Sequence, residues 1–167
     1  MRKIIFLPLL AFLTALLTGC STSDEDMQSL IVQHIKANTY PDETLEISHI
    51  SKPDSTFGVM YMSEKEILHI TETIDKVTEY FMRKTNNMTN YDPSDGYLAY
   101  LANKQMLVSA QMNEVMAHSM QRKDFNGWRI RVTYAITNKN GTRKTEEWFF
   151  LDKDGILIYN TFAIPLP

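Results

Sequence analysis

An alternating stretch near the C-terminus constrains the fold of this chain more than any other feature. Apolar and polar side chains alternate from Trp128 to Thr137. A period of two is typical of a β-strand that buries one face. Asn140-Gly141 follows and predicts a hairpin with a type I′ turn, in which both central residues need a positive φ. Asp154-Gly155 predicts a second hairpin, so this part of the chain should form an antiparallel β-meander.

The second and third strands of the meander differ from the first. The second should cover Thr145 to Leu151, and its last four residues, Trp148 to Leu151, are apolar on both faces. This is expected of a central strand that is covered on both sides. The third strand should cover Ile156 to Phe162, and we expect Pro165 and Pro167 to end the sheet.

The segments before the meander are mainly helical in pattern. Residues 26–37 have apolar side chains at helical spacing. Ser63 and Glu66 form an S-x-x-E capping box, which predicts the start of a second amphipathic helix. Its apolar stripe comprises Ile67, Ile70, Ile74, Val77 and Phe81. A third helix is predicted from about Ser94 to Met120.

Two short strands are predicted between the first and second helices. Leu45 to Ile50 has the alternation of a half-buried strand. Lys52 to Thr56 is predicted to form a turn, and Phe57 to Met62 a second short strand. Helices first and a meander last predict an α+β fold, in which N-terminal helices pack on a C-terminal antiparallel β-meander. We assign residues 27–167 to this single domain.

The N-terminus has the pattern of a bacterial lipoprotein signal peptide. Arg2 and Lys3 precede an apolar run, Ile4–Leu17, that is too short to span a bilayer, which needs about 20 residues. Leu17-Thr18-Gly19-Cys20 then resembles a lipobox. This resemblance implies a signal peptide at residues 1–19, cleavage between Gly19 and Cys20, and lipidation (palmitate among the acyl chains) of Cys20, the only cysteine.

The lipobox also implies a location in the cell envelope. Ser21 after Cys20 resembles the sorting pattern of Gram-negative outer-membrane lipoproteins, which face the periplasm or the cell surface. Residues 20–26 would form the lipidated N-terminus and an acidic tether. The acidic residues at 24–26 resemble a surface-export signal of one Gram-negative phylum, but they would equally favour the start of a helix capped by Ser23-x-x-Asp26. Both interpretations stay open.

Processing changes the size and charge of the chain. Removing 19 residues from 167 leaves 148, and losing Arg2 and Lys3 leaves 15 basic against 20 acidic residues, a net charge of −5. This acidic balance argues against a nucleic-acid partner. About 148 residues can bury roughly 68–70% of the unfolded surface, which is enough for an independent core.

Several short segments resemble those of small envelope lipoproteins with a cystatin-like or NTF2-like domain, whose function is uncharacterised. These segments are Pro53-Asp54-Ser55, Phe125-Asn126-Gly127-Trp128, Asn138 to Gly141 and Phe149-Phe150-Leu151-Asp152. The Q-x-V-x-G loop of cystatin inhibitors is absent at Gln105 to Ser109, so the resemblance does not imply protease inhibition. These superfolds carry many activities.

The sequence contains no recognisable catalytic, metal-binding or cofactor motif. One cysteine excludes a disulfide framework and a cysteine-based zinc cluster. No two of the four histidines have the spacing of an H-E-x-x-H motif. Asp152-x-Asp154-Gly155 has its glycine at the wrong position for an EF-hand calcium loop, so we interpret it as a hairpin. We therefore predict no catalytic residue, metal or cofactor.

Two arginines and a methionine-rich helix are the remaining candidates for binding. Arg129 and Arg131 share the polar side of their strand and could bind an acidic or carbohydrate partner. The alternative is a solvated outer face with an ion pair to Glu146 or Glu147. Methionines at helical spacing could fill a core or line an apolar pocket; these are Met112, Met116 and Met120.

The anchor and the absence of motifs together predict a function class. We expect a lipid-anchored, non-enzymatic binding or accessory module on the outer membrane or cell surface, with an envelope protein as one candidate partner. Two alternatives remain open. The domain could be a small NTF2-like enzyme with a pocket between sheet and helices. It could also be a structural subunit of an envelope complex.

Overall fold

A computed structural model describes residues 22–167 of the chain. The predicted signal peptide at residues 1–19, its cleavage site after Gly19 and the lipidation of Cys20 lie outside the described residues. Across 22–167, no helix combines the length and the apolar character that a membrane crossing requires.

The described chain folds into three helices and one antiparallel sheet, which confirms the predicted α+β fold. The helices are α1 (Asp24–Ala37), α2 (Glu64–Lys84) and α3 (Gly96–Ser119). The strands are β1 (Thr44–Ile50), β2 (Asp54–Thr56), β3 (Gly127–Asn138), β4 (Gly141–Leu151) and β5 (Ile158–Leu166). The sheet order is β1-β3-β4-β5, and β2 pairs with the other end of β3.

Helices cover both faces of the sheet. The predicted central strand is confirmed, because Trp148, Phe149, Phe150 and Leu151 of β4 are all fully buried. Phe149 and Leu151 pack with buried side chains of α1, whereas Trp148 and Phe150 pack with those of α2 and α3. The predicted apolar stripe of α2 faces this second core and the smaller cluster between α2 and α3.

Capping side chains fix where the helices begin. The capping box of Ser63 and Glu66 is present with both of its backbone hydrogen bonds. Ser23 and Asp26 form the same arrangement, so α1 begins at Asp24, two residues before the predicted start. The hydrogen bonds from Ser23 lower the pKa of the Asp26 carboxyl. The capping role of Asp26 is thus confirmed, while the export-signal interpretation of the same acidic run stays a prediction.

The second strand lies earlier in the chain than predicted. Asp54–Thr56, expected to form a turn, pairs with Gly127–Arg129 instead. Residues 57–62 form no strand, because the backbone turns at Gly58 (φ 148°) and Met60 (φ 53°). The side chains of Met60 and Met62 are nevertheless buried against α2 and α3.

The hairpin between β3 and β4 differs from the predicted type. Asn138 pairs with Gly141, so Lys139 and Asn140 are the turn residues. Gly141 has a φ of 127°, whereas neither Lys139 nor Asn140 has a positive φ. A type I′ turn would need positive values at both central positions, so that prediction was wrong.

The last strand is shifted towards the C-terminus. β5 begins at Ile158 and continues through Pro165, which pairs with Thr145. We expected Pro165 to end the sheet, but β5 is an edge strand, where a residue without an N–H need not break a ladder hydrogen bond. Ile156 and Leu157 therefore belong to the loop between β4 and β5, and both are exposed.

Candidate functional site

A polar cleft of about 420 Å³ lies between the N-terminal turn of α2, the segment that joins β1 to β2, and β3. We call it the arginine cleft. Its lining consists of Ser51, Lys52, Asp54, Ser63, Lys65, Glu66, His69, Arg129 and Arg131. Both arginines that the sequence analysis singled out thus line one cleft.

Arg129 is a buried structural residue of this cleft. Only 2% of its side chain is exposed, and one Nη2 atom lies 2.6 Å from the carboxylates of both Asp54 and Glu66. Its Nη1 donates a hydrogen bond of 2.7 Å to the carbonyl of Tyr61. The expectation of a solvated outer face was wrong for Arg129, because α2 and β2 cover it with two carboxylates.

Glu66 connects this ion pair to the start of α2. Its Oε2 accepts hydrogen bonds from the backbone and hydroxyl of Ser63 and is also the atom that contacts Arg129. One carboxylate oxygen therefore caps α2 and neutralises a buried guanidinium.

Arg131 is more accessible and shares a carboxylate with a histidine. Its Nη1 lies 3.6 Å from Oε1 of Glu146, so the predicted pairing with Glu146 is present. The same oxygen lies 2.7 Å from Nε2 of His69. Glu146 is buried, whereas His69 and Arg131 are each about one-third exposed. A ligand-binding role for Arg129 or Arg131 stays a prediction.

A second concavity lies at the opposite end of the sheet. Two adjoining hollows of about 590 and 290 Å³ share Tyr100 and Arg143. They are bordered by the N-terminus of α3, the β3–β4 hairpin and the segment between α1 and β1. We call these two hollows together the tyrosine groove.

Arg143 and Glu43 form an ion pair in the tyrosine groove, which Asp95, Lys104 and Glu147 also line. Arg143 donates from Nη2 to Oε1 of Glu43, and Asn138 donates to the same oxygen at 3.0 Å. Glu43 has only 5% of its side chain exposed, whereas Arg143 has 40%. The guanidinium of Arg143 also lies 5.8 Å from the ring centroid of Tyr100. The guanidinium of Arg143 is therefore accessible in the groove, but Glu43 balances its positive charge.

Two tyrosines in the first two turns of α3 form an aromatic surface beside this pair. The rings of Tyr97 and Tyr100 lie 6.5 Å apart, with an angle of 25° between their planes. The hydroxyl of Tyr97 donates to the carbonyl of Leu166, and burial raises the pKa of this hydroxyl. Ser94 and Asn140 also line the groove. Their backbone N–H groups donate to Asp92 and Asn138, while their own side chains make no hydrogen bond within residues 22–167.

Tyr134 and Glu147 form a partly buried pair where the groove meets α1. The hydroxyl of Tyr134 donates to Oε2 of Glu147 at 2.7 Å. Burial raises the pKa of Tyr134 far above its ordinary value, and the negative charge of Glu147 raises it further. The phenol is consequently a neutral donor rather than an acid that titrates near neutral pH.

Sequence patterns could not identify these groupings. His69 and Glu146 are 77 residues apart, and Glu43 and Arg143 are 100 apart, so no local spacing connects them. Tyr97 and Tyr100 were the only local signal, three residues apart on one helix. Of the three methionines, Met112 packs on the core, but Met116 and Met120 are exposed, so the core interpretation was wrong for those two.

Comparisons with known proteins do not assign a function, so any function must be inferred from these sites. No family model matches the chain, and neither a curated protein nor a solved structure matches it. In the part of the chain that the structure describes, no three histidine, cysteine, aspartate or glutamate side chains are grouped to hold a metal ion.

The two arginines should differ sharply in their effect on stability. We expect Arg129→Ala to lower the free energy of unfolding by about 3 kcal/mol, because it leaves Glu66 without its buried partner. Arg131→Ala, the matched control on the same strand, should cost about 1 kcal/mol or less, because its ion pair is long and partly solvated. Urea unfolding of both variants measures this difference. Equal losses would contradict the structural role of Arg129.

Proposed function

We propose that this chain is a lipid-anchored lipoprotein of the cell envelope whose domain is a non-enzymatic binding module, with the tyrosine groove as its binding site. One observation carries the proposal. Thr22, two residues after the predicted lipidated Cys20, donates its hydroxyl to the carbonyl of Asp154 in the β4–β5 loop. The chain that leads to the anchor therefore leaves the domain at the end opposite the tyrosine groove.

The length of the sheet supports this arrangement. β4 has 11 residues and runs from the hairpin at the groove to the loop beside Thr22. At about 3.4 Å per residue this strand spans roughly 35 Å. An anchor at one end would thus hold the groove well clear of the membrane surface, where a ligand can reach it.

The chemistry of the groove favours a saccharide as the ligand. Tyr97 and Tyr100 offer aromatic faces, which suit the apolar C–H faces of a sugar ring. Ser94 and Asn140 offer hydroxyl and amide groups that both donate and accept hydrogen bonds. Glu43 neutralises Arg143, and the remaining charged lining residues are of both signs (Lys104 against Asp95 and Glu147), so a neutral ligand fits better than a strongly charged one.

The anchor is tested by labelling cells of a Gram-negative host with radioactive palmitate. The wild-type chain should incorporate the label and lose its first 19 residues, giving a mature form that begins at Cys20. Cys20→Ser should incorporate none and retain the longer precursor, whereas Ser21→Ala, the matched control beside it, should be labelled and processed. Palmitate on the Cys20→Ser variant would disprove lipidation at Cys20.

The proposed binding role of the tyrosine groove is tested by a substitution that fills the groove with a large side chain. Thr142 lines the groove and Lys139, in the same hairpin, does not. We expect the purified lipidated protein in detergent to bind members of an oligosaccharide array, and Thr142→Trp to lower the affinity about tenfold, equivalent to about 1.4 kcal/mol. Lys139→Trp should bind like the wild type. Absence of binding to every sugar, or equal binding by both variants, contradicts this site.

The contact between His69 and Glu146 favours a second candidate function, that of a small enzyme acting in the arginine cleft. A buried carboxylate that holds one ring nitrogen of a histidine leaves the other nitrogen available as a general base. Arg131 beside them could stabilise an anion that forms during the reaction.

The enzyme candidate is separated from the binding module by a turnover assay. On a panel of p-nitrophenyl esters and phosphates, an enzyme would give a rate that His69→Ala abolishes. His49→Ala, an exposed histidine of β1 outside the cleft, should leave the rate unchanged. The binding-module proposal expects no turnover that depends on His69.

A further inference from the structure

We propose that the β4–β5 loop, residues 152–157, is a second membrane contact that inserts Ile156 and Leu157 into the lipid surface beside the anchor. This inference rests on the proposed lipidation of Cys20 and adds the orientation of the domain to it. The two side chains are 65% and 59% exposed and adjacent in the chain. They form an apolar tip on an otherwise polar loop.

The distance to the anchor places this tip at the lipid. Thr22 contacts the loop directly through its hydrogen bond to Asp154. Two residues of extended chain span at most about 7 Å, so the lipidated Cys20 stays within that reach of Thr22. Because the acyl chains start at Cys20, any membrane that holds them lies close to the β4–β5 loop.

Hydrogen bonds hold the loop in one conformation, which keeps the side chains of its apolar tip exposed to solvent. Oδ1 of Asp152 accepts the backbone N–H groups of Ile156 and Leu157 at 2.9 and 3.0 Å. Gly155 has a φ of 71°, and a Cβ there would lie 2.7 Å from the sulfur of Met27. The loop is therefore closed by its own carboxylate and seated against α1.

The residues around the tip suit contact with a membrane whose lipids carry no net charge. Trp128 donates its indole N–H to the carbonyl of Lys153 and packs edge-on against Phe125. Tryptophan in such a position is typical of the headgroup region. The exposed Lys153 is the one cation of the loop, and acidic residues outnumber it: Asp152 and Asp154 in the loop and the first turn of α1 beside Thr22. The attraction is thus apolar, and it should operate on uncharged, zwitterionic lipid.

The lipid anchor and the β4–β5 loop together would fix the orientation of the domain on the membrane, which the anchor alone would not. A lipidated N-terminus alone allows the domain to pivot about the short tether. Insertion of Ile156 and Leu157 adds a second fixed point, and an apolar surface typically enters about 5–10 Å into the headgroup boundary. The sheet would then stand away from the membrane, with the tyrosine groove at its outer end.

The test uses the full-length lipidated protein in phosphatidylcholine vesicles. Ile156→Cys and Met106→Cys each introduce one thiol for an environment-sensitive NBD label, since the sulfur of Cys20 carries lipid. Met106 is the matched control, an exposed apolar residue (70%) near the middle of α3 and outside the β4–β5 loop. We expect a blue shift of the emission and quenching by spin-labelled lipid at position 156, and neither effect at position 106.

The outcomes separate this inference from the anchor. A protein that sediments with the vesicles but gives the same water-like emission at both positions overturns the membrane contact and leaves the anchor intact. Two labels per chain, or failure to sediment, shows that Cys20 is not lipidated and overturns both. Blue shift without quenching by spin-labelled lipid indicates that the tip is covered by protein instead, which also overturns the contact.

A second variant tests whether the apolar tip itself makes the contact. Leu157→Asp, introduced into the labelled Ile156→Cys protein, places a charge beside the label on an exposed position that the core does not use. The emission should return to the water-like value with an unchanged midpoint of thermal unfolding. An unaltered blue shift in this variant would overturn insertion of the tip.

Discussion

The burial of both faces of β4 is the constraint on which the rest of the structure depends. Trp148 to Leu151 expose no surface, and fully burying each such side chain contributes about 1.5–3 kcal/mol. This gain requires cover on both sides, so the three helices must divide between the two faces of the sheet. α1 precedes the sheet and takes one face, while α2 and α3, inserted between β2 and β3, take the other. The indole N–H of Trp148 is buried without a hydrogen-bond partner in the described chain, a cost of about 1–3 kcal/mol that the packing around it outweighs.

The periodicity of apolar residues was sufficient to predict a helix or strand wherever nearby residues alone define it. The capping box of α2, its apolar stripe and the doubly buried β4 were all predicted, because each depends on residues close together in the chain. Apart from the type of the β3–β4 turn, which is a local error, the errors lie where pairing with a distant segment decides the structure. Asp54–Thr56 becomes a strand because β3 pairs with it and Arg129 binds its first residue, although its composition is that of a turn. Pro165 is tolerated within β5 because the strand lies at the edge, and the order of the strands could not be derived from composition.

The candidate sites were less predictable than the fold for the same reason. Arg129 was singled out as a surface candidate, yet α2 supplies Glu66 and buries it, which no feature of the β3 sequence indicates. The pairs formed by His69 with Glu146 and by Glu43 with Arg143 join elements far apart in the chain. Tests based on local spacing detect sites built on one helix or one loop, whereas these sites are assembled by the packing of helices on the sheet.

The two ends of the domain are physically connected by α1, and this connection would let the proposed anchor at one end orient the groove at the other. The first turn of α1 is capped by Ser23, and Met27 packs against Gly155 of the β4–β5 loop. Its 14 residues span about 21 Å at 1.5 Å per residue. Asn38, which caps its last turn, lines the tyrosine groove. Because the buried side of α1 is fixed on the sheet through Ile31 and Ile35, the helix cannot tilt independently of β4. Any contact that fixes the β4–β5 loop at a membrane therefore fixes the direction in which the groove opens.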